Sequence, residues 1–367
     1  MLALGLPLVI NGRFLQRPVT GVERFAIETL RALDELISAQ EVKMVPLVIA
    51  IPRGTQPKST FKNFKIIEVG RFQGYAWEQL ELPLYAGSRF LVNLCNTGPV
   101  IKKKQCVVIH DAAVFSVPEA YGRTFRLVYK CMHRLLAWRG AQILTVSEFS
   151  RRELAHHLGL APSAITVLPE GGEHVLRVQP DDAILSKASL FKRPFVLAVS
   201  SSQSNKNFGF VVQALATLGD PGFDVVVAGG TNPGVFAAKG VPMPGFVKHV
   251  GYVSDAELAS LYKHAACFVF PSLYEGFGIP PLEAMAHGCP VVASTAASIP
   301  EVCGNAAIYF DPKDAKSFLA VLDKVMSTEH VRVELKELAR ERSQWWTWRR
   351  TAQSLLQALP QYINQTA

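Results

Sequence analysis

PSLYEGFGIPPLEAMAHGCPVVAS, residues 271–294, decides the architecture. An apolar run, Cys267–Pro271, ends in a loop bearing Gly276 and Gly278. A helical pattern starts near Pro280-Pro281, and a second apolar run, Pro290–Ser294, follows it. Strand, glycine loop, helix and strand make one layer of a parallel α/β sheet. The glycines let backbone approach a ligand closely, and a helix N-terminus offers N–H groups to an anion such as a diphosphate. Glu275 falls in the loop and Glu283 in the expected first helical turn, with seven residues between them. A carboxylate there can accept hydrogen bonds from sugar hydroxyls. Glu283 can equally serve only the helix dipole.

The same alternation extends in both directions. The back half restarts at Phe195–Ser200 and continues through helix Phe208–Leu218, strand Asp224–Ala228, strand Val247–Val250 and helix Asp255–Ala265. Helix Ala315–Met326 lies beyond the quoted stretch. The front half reads as strands near Leu6–Asn11, Lys43–Ile49, Phe90–Leu94, Cys106–His110, Ile143–Val146 and Ile165–Leu168. Helices Val22–Ser38, Arg123–Arg139 and Glu148–Leu158 fall between them. A chain of 367 residues is too long for one ordinary core and comfortable for two. The expected fold class is α/β, two Rossmann-like doubly wound domains facing a central cleft. Their boundaries are expected at 1–174 and 194–344, with a linker at 175–193 and a tail segment at 345–367.

Composition narrows the class. The chain is 49% hydrophobic and 19% charged, as soluble globular proteins are, and no apolar run nears the roughly 18–20 residues of a spanning helix. Met1–Val9 lacks a basic leader region and reads as part of the first strand. The six cysteines form no CxxC pair and sit mostly in apolar runs, as buried reduced thiols do in a cytoplasmic protein. Charge is uneven. Residues 1–180 carry 22 Lys and Arg against 14 Asp and Glu, whereas 181–367 carry 16 of each. An anionic partner for the front half, or solubility alone, accounts for that split. No nucleic-acid module accompanies it.

The Glu275…Glu283 pair in its loop–helix context resembles the hallmark of the family-four retaining glycosyltransferases, whose two-Rossmann fold is called GT-B. Ser298–Gly304 and Phe310-Asp311-Pro312 resemble that family's continuation. The resemblance implies that Glu275 contacts the transferred sugar and Glu283 the ribose of the donor nucleotide. Backbone at Gly276, Phe277, Gly278 and Ile279 would meet phosphate and sugar. After the first strand of the back half, Ser201 and Asn205 fall in the donor motif, and Lys206 would neutralise the leaving diphosphate. The family's accompanying arginine is missing, since Ser200 and Asn205 stand at its two usual places. In the front half Gly21 and Val22 resemble the glycine loop facing the diphosphate, and His110 would hydrogen-bond a donor-sugar hydroxyl. Tyr252 and Val253 resemble the segment that meets the nucleobase. Glu170-Gly171-Gly172 replaces a more usual Asn-Gly. Trp346–Ala352 resembles the tail helix that crosses back.

The catalytic set implied is therefore Glu275, Lys206 and His110. No cofactor or metal is expected beyond the nucleotide-sugar co-substrate, for no DxD triplet occurs and a lysine with helix dipoles replaces the metal in that family. GDP-mannose is the first donor expected, by likeness to bacterial mannosyltransferases. The partner expected is a glycan or lipid-linked glycan acceptor in cell-surface polysaccharide synthesis. Arg123, Arg126, Lys130 and Arg134 recur at helical spacing among Phe125, Met132 and Leu136, and Lys102–Lys104 precede the His110 strand. That pattern fits a peripheral enzyme on an anionic membrane surface at the cytoplasmic face, or an ordinary surface helix. Three alternatives stay open: a UDP-sugar-dependent enzyme with a soluble acceptor, another enzyme of the same fold, and a non-catalytic nucleotide-sugar-binding subunit.

Overall fold

The computed structural model describes residues 8–44, 46–57, 59–199, 203–230, 244–359 and 364–365. The chain forms two compact units, Met1–Glu170 with Trp348–Ala367, and Gly171–Thr347.

The first unit is built on a seven-stranded parallel sheet. Its strands are β1 (Leu8–Asn11), β3 (Leu47–Pro52), β4 (Phe64–Val69), β5 (Leu91–Asn93), β6 (Gln105–Val108), β7 (Gln142–Thr145) and β8 (Thr166–Val167). They lie in the order β4-β3-β1-β5-β6-β7-β8, so the chain reverses direction at β1. A small antiparallel pair joins β2 (Lys43–Met44) to β15 (Asn364–Gln365) near the end of the chain. Strands covered on both faces read as continuous apolar runs, and β1, β3, β5 and β6 are buried throughout. The strand β4 escapes that reading. It is an edge strand whose Lys65 and Glu68 interrupt the apolar run, as edges protected from mispairing often do.

Helix Gly21–Ser38 buries Phe25, Leu30 and Leu33, and the last helix, Trp348–Ala358, packs against it. Trp348 meets the ring of Phe25 edge-on at 6.1 Å, and the Thr351 hydroxyl donates to the Pro169 carbonyl.

The second unit carries a six-stranded parallel sheet in the order β11-β10-β9-β12-β13-β14. The strands are β9 (Phe195–Val199), β10 (Asp224–Ala228), β11 (Val247–Gly251), β12 (Cys267–Phe270), β13 (Val291–Ser294) and β14 (Ala307–Phe310). The direction reverses at β9. Its core gathers Val196, Val225 and Val269 from the strands with Phe208, Leu215 and Phe318 from helices. Helix Glu329–Trp345 was not legible in the sequence. It buries only Leu335 and Ala339, too narrow an apolar stripe to show through its charges.

The stretch 175–193, expected as a linker, contains a short helix, Ala183–Lys187, with Ile184 and Leu185 buried. The Asp181 N–H donates to the Ala256 carbonyl at 3.0 Å, and the Ser260 hydroxyl to Asp182 at 2.7 Å. These bonds fasten the stretch to helix Asp255–His264, within the second unit.

Candidate functional site

In doubly wound sheets ligands gather outside the carboxyl ends of strands, where the order reverses. In the second unit that place is the end of β9 and its neighbour β12. Two loops leave those strands and are bonded to each other. The Leu273 N–H donates to the Asn205 carbonyl at 2.8 Å, and the Asn205 side-chain amide to the Tyr274 carbonyl at 3.1 Å. The result brings Lys206 to Glu275, Nζ to Oε1 at 2.7 Å, with both side chains partly exposed. The ring of Phe270 lies 6.0 Å from the same ammonium. Oδ1 of Asn205 is buried with no partner among the described residues. Ser201 lies outside the described residues.

The 271–279 loop is held from beneath. The Ser298 hydroxyl is shared between the carbonyls of Glu275 at 2.9 Å and Phe277 at 2.8 Å. Phe277 packs edge-on against Trp346, centroids 5.4 Å apart. Gly278 adopts φ +113°, a conformation that side-chain-bearing residues avoid, and turns the chain into helix Ile279–Ala286. Gly276 through Ile279 are buried, Glu275 is partly exposed, and Leu273 is the exposed side chain of the loop.

Glu283 needs correction. The helix begins at Ile279, ahead of the prolines, so Glu283 stands one turn inside it rather than in the first turn. Prolines suit a first turn because they lack the N–H that would go unpaired there. Glu283 is buried, and both its oxygens accept bonds that sequence reading missed. His174 Nε2 lies 2.9 Å from Oε1, and the Tyr262 hydroxyl donates to Oε2 at 3.0 Å. Burial and the Glu283 carboxylate hold the Tyr262 phenol well above its ordinary titration range, so it stays a donor.

His174 reaches Glu283 because Gly172 lets the chain press on the helix. A Cβ on Gly172 would come within 2.7 Å of the Leu282 Cβ and 2.9 Å of its carbonyl. Gly172→Ala should therefore destabilise the second domain by about 1–3 kcal/mol, measured by denaturant unfolding. Unchanged stability would show that the contact relaxes freely. Tyr252 and Val253 follow β11 at Gly251, with the Tyr252 ring 82% exposed and available to a planar ligand.

The first unit places its expected residues at strand ends too. Gly21 and Val22 open the helix after β1, behind a short 3-10 turn, Gly12–Gln16. Glu23 closes that turn by accepting from the Thr20 N–H at 3.3 Å and pairing with Arg17 at 3.1 Å. His110 lies just past β6 and is buried. Its Nε2 is 3.0 Å from the Leu94 carbonyl, its Nδ1 is 3.3 Å from Glu170, and Phe25 meets the ring edge-on at 4.7 Å. Two acceptors facing both ring nitrogens call for the doubly protonated imidazolium. Burial acts to lower this histidine, but the Glu170 bond and charge, the Leu94 carbonyl and the Asp111 charge outweigh it, and His110 titrates above its ordinary 6.5. Sequence reading marked Glu170 only as a departure from Asn; the structure makes it the partner of His110.

The chain resembles known glycosyltransferases over most of its length. Residues 182–342 match the family model described as glycosyl transferases group 1. The chain is 28% identical over 339 residues to O-antigen chain mannosyltransferase B of Escherichia coli, covering 83% of this chain and 87% of that one. It is 25% identical over 334 residues to O-antigen chain mannosyltransferase RfbU of Salmonella typhimurium, covering 87% and 90%. Among solved structures it resembles WaaG, a glycosyltransferase involved in lipopolysaccharide biosynthesis, with TM-score 0.70 at 16% identity, covering 95% and 98%. The sucrose-phosphate synthase of Thermosynechococcus elongatus superposes equally well, TM-score 0.70 at 17% identity, covering 95% and 97%. With its two parallel α/β domains of GT-B type and these relatives spanning most of its length, the chain is a glycosyltransferase similar to the group 1 family and to the O-antigen mannosyltransferases.

Proposed function

We propose that this enzyme transfers α-mannose from GDP-mannose to a lipid-diphosphate-linked glycan during cell-surface polysaccharide synthesis, working at the inner face of the cell membrane. The observation that carries the reading is the Lys206–Glu275 pair at the carboxyl ends of adjacent strands, in a chain whose relatives are O-antigen mannosyltransferases. Lys206 has three N–H donors and commits one to Glu275, leaving the others for the diphosphate oxygens on which charge develops as the glycosidic bond breaks. Glu275 holds that ammonium in place and accepts from a sugar hydroxyl. Glu283, stiffened by His174 and Tyr262, takes the ribose. The backbone of Gly276–Ile279, with Gly21 and Val22, serves the phosphates and sugar; Asn205 fastens the donor loop through the Tyr274 carbonyl. Tyr252 and Val253 meet the base, while His110, with both ring nitrogens committed to Leu94 and Glu170, has no ring N–H left for the sugar and acts by holding the end of β6 in place.

Two measurements test the reading. NMR of the product of GDP-mannose transfer should show an α-linkage, since the family it resembles retains anomeric configuration; a β-linkage would overturn the assignment. In thermal-shift assays a nucleotide at 100-fold over its Kd stabilises by about 2.7 kcal/mol. GDP should produce such a shift at lower concentration than UDP, and the reverse order would replace the guanine donor with a uridine one.

A further inference from the structure

Helix Arg123–Trp138 buries Tyr129, Met132, His133 and Leu136. Its outer face is not polar. Leu127, Cys131, Leu135 and Trp138 recur at helical spacing and are all exposed, Trp138 at 77%. The neighbouring elements continue the pattern, with Leu84 at 78% and Ile101 at 61% beside an open groove of about 350 Å³. These elements form one layer. The Tyr75 and Tyr129 hydroxyls are 2.8 Å apart, and the Val100 N–H donates to the Gln79 side chain at 3.0 Å.

Charge identifies what covers this face. Residues 82–89, 97–108 and 123–139 contain no Asp or Glu, yet they carry Lys103, Lys104, Arg123 and Arg134. Lys102 and Arg89 are not among the outward cations, because the Lys102 ammonium turns inward to the Gly87 carbonyl at 2.5 Å and the Arg89 guanidinium donates to the Ala86 and Tyr85 carbonyls. Lys130 and Arg134 lie over the Phe115 ring, at 5.3 and 5.5 Å, and so border the apolar stripe. A second copy of this chain on the same face would set cation against cation. An anionic bilayer meets both demands at once, accepting apolar side chains at the acyl boundary and cations at the headgroups.

We propose that this face inserts into the interface of an anionic membrane, with Leu84, Ile101, Leu127, Leu135 and Trp138 entering the lipid. The inference rests on the peripheral-membrane reading above and deepens it: apolar insertion, beyond charge attraction, holds the enzyme down. The test uses the full chain with vesicles of phosphatidylglycerol in phosphatidylcholine. Wild type should stay bound in about 1 M salt, where screening reaches within about 3 Å. Leu127→Glu/Leu135→Glu should weaken partitioning by at least about 100-fold, as two buried leucines imply. Brominated acyl chains should quench wild type more than Trp138→Phe. Donor hydrolysis should be unchanged in every variant. Absence of wild-type binding would overturn the membrane reading and this inference together. Binding that salt abolishes, that the leucine variant keeps, or that shows no Trp138-dependent quenching would overturn insertion alone. A lipid-free dimer that the leucine variant dissolves would assign the face to a second copy instead.

Discussion

Lys206→Ala should lower kcat by about 100-fold, near 3 kcal/mol of lost transition-state stabilisation, as for removal of a central electrostatic donor. Glu275→Gln should cost at least as much, since it removes the sugar contact and also releases the ammonium it orients. The ion pair adds a way to separate chemistry from folding. Each single change leaves a partly buried partner without its counter-charge, so each should lower stability somewhat. In the double variant Lys206→Met/Glu275→Gln the stability loss should be partly regained while turnover stays lost, because neighbouring substitutions couple. Steady-state kinetics and denaturant unfolding on all three variants check this. Wild-type turnover in Lys206→Ala would remove this lysine from the diphosphate role.

Glu170→Gln should be the most damaging change in the first domain. It leaves a buried imidazolium facing a neutral amide, and breaking a buried pair costs about 3–5 kcal/mol. The sign of the pH dependence follows from the raised His110 titration. The pair's contribution is complete below the unfolded histidine's value of 6.5 and is lost as pH rises through the higher folded value. Thermal unfolding should therefore show a larger gap between wild type and Glu170→Gln at pH 6 than at pH 9. A gap independent of pH would mean that His110 is neutral in the folded protein.

The reading of residues 195–294 in the sequence comes close to the folded elements for a physical reason. Parallel strands buried on both faces are unbroken apolar runs, and Asp224–Ala228 and Cys267–Phe270 are such runs. Edge strand β4 and the mostly exposed helix Glu329–Trp345 lack that signature. The site divides the same way. Glu275, Glu283, Lys206 and His110 stand in local motifs, and their resemblance to the glycosyltransferase motifs singles them out. No local motif marks their partners: Glu170 lies 60 residues from His110, and His174 lies 109 from Glu283. Only the topology brings them together. The depth of Glu283 was lost to a different cause, the prolines that place the helix start earlier than the apolar pattern does.

The return of the last helix to the first sheet bears on how the protein is made. The first domain is interrupted in the chain, its final piece arriving only with Trp348, which is almost wholly buried. Roughly 180 residues are synthesised between Glu170 and that tryptophan, some 10–35 s at ordinary ribosomal speeds. Throughout that interval the side of helix Gly21–Ser38 that Trp348–Ala358 will cover has no cover of its own. The second domain has all its residues contiguous and can complete its core first. Birth order and folding order are thus opposed, and the part of the enzyme made first is the part finished last.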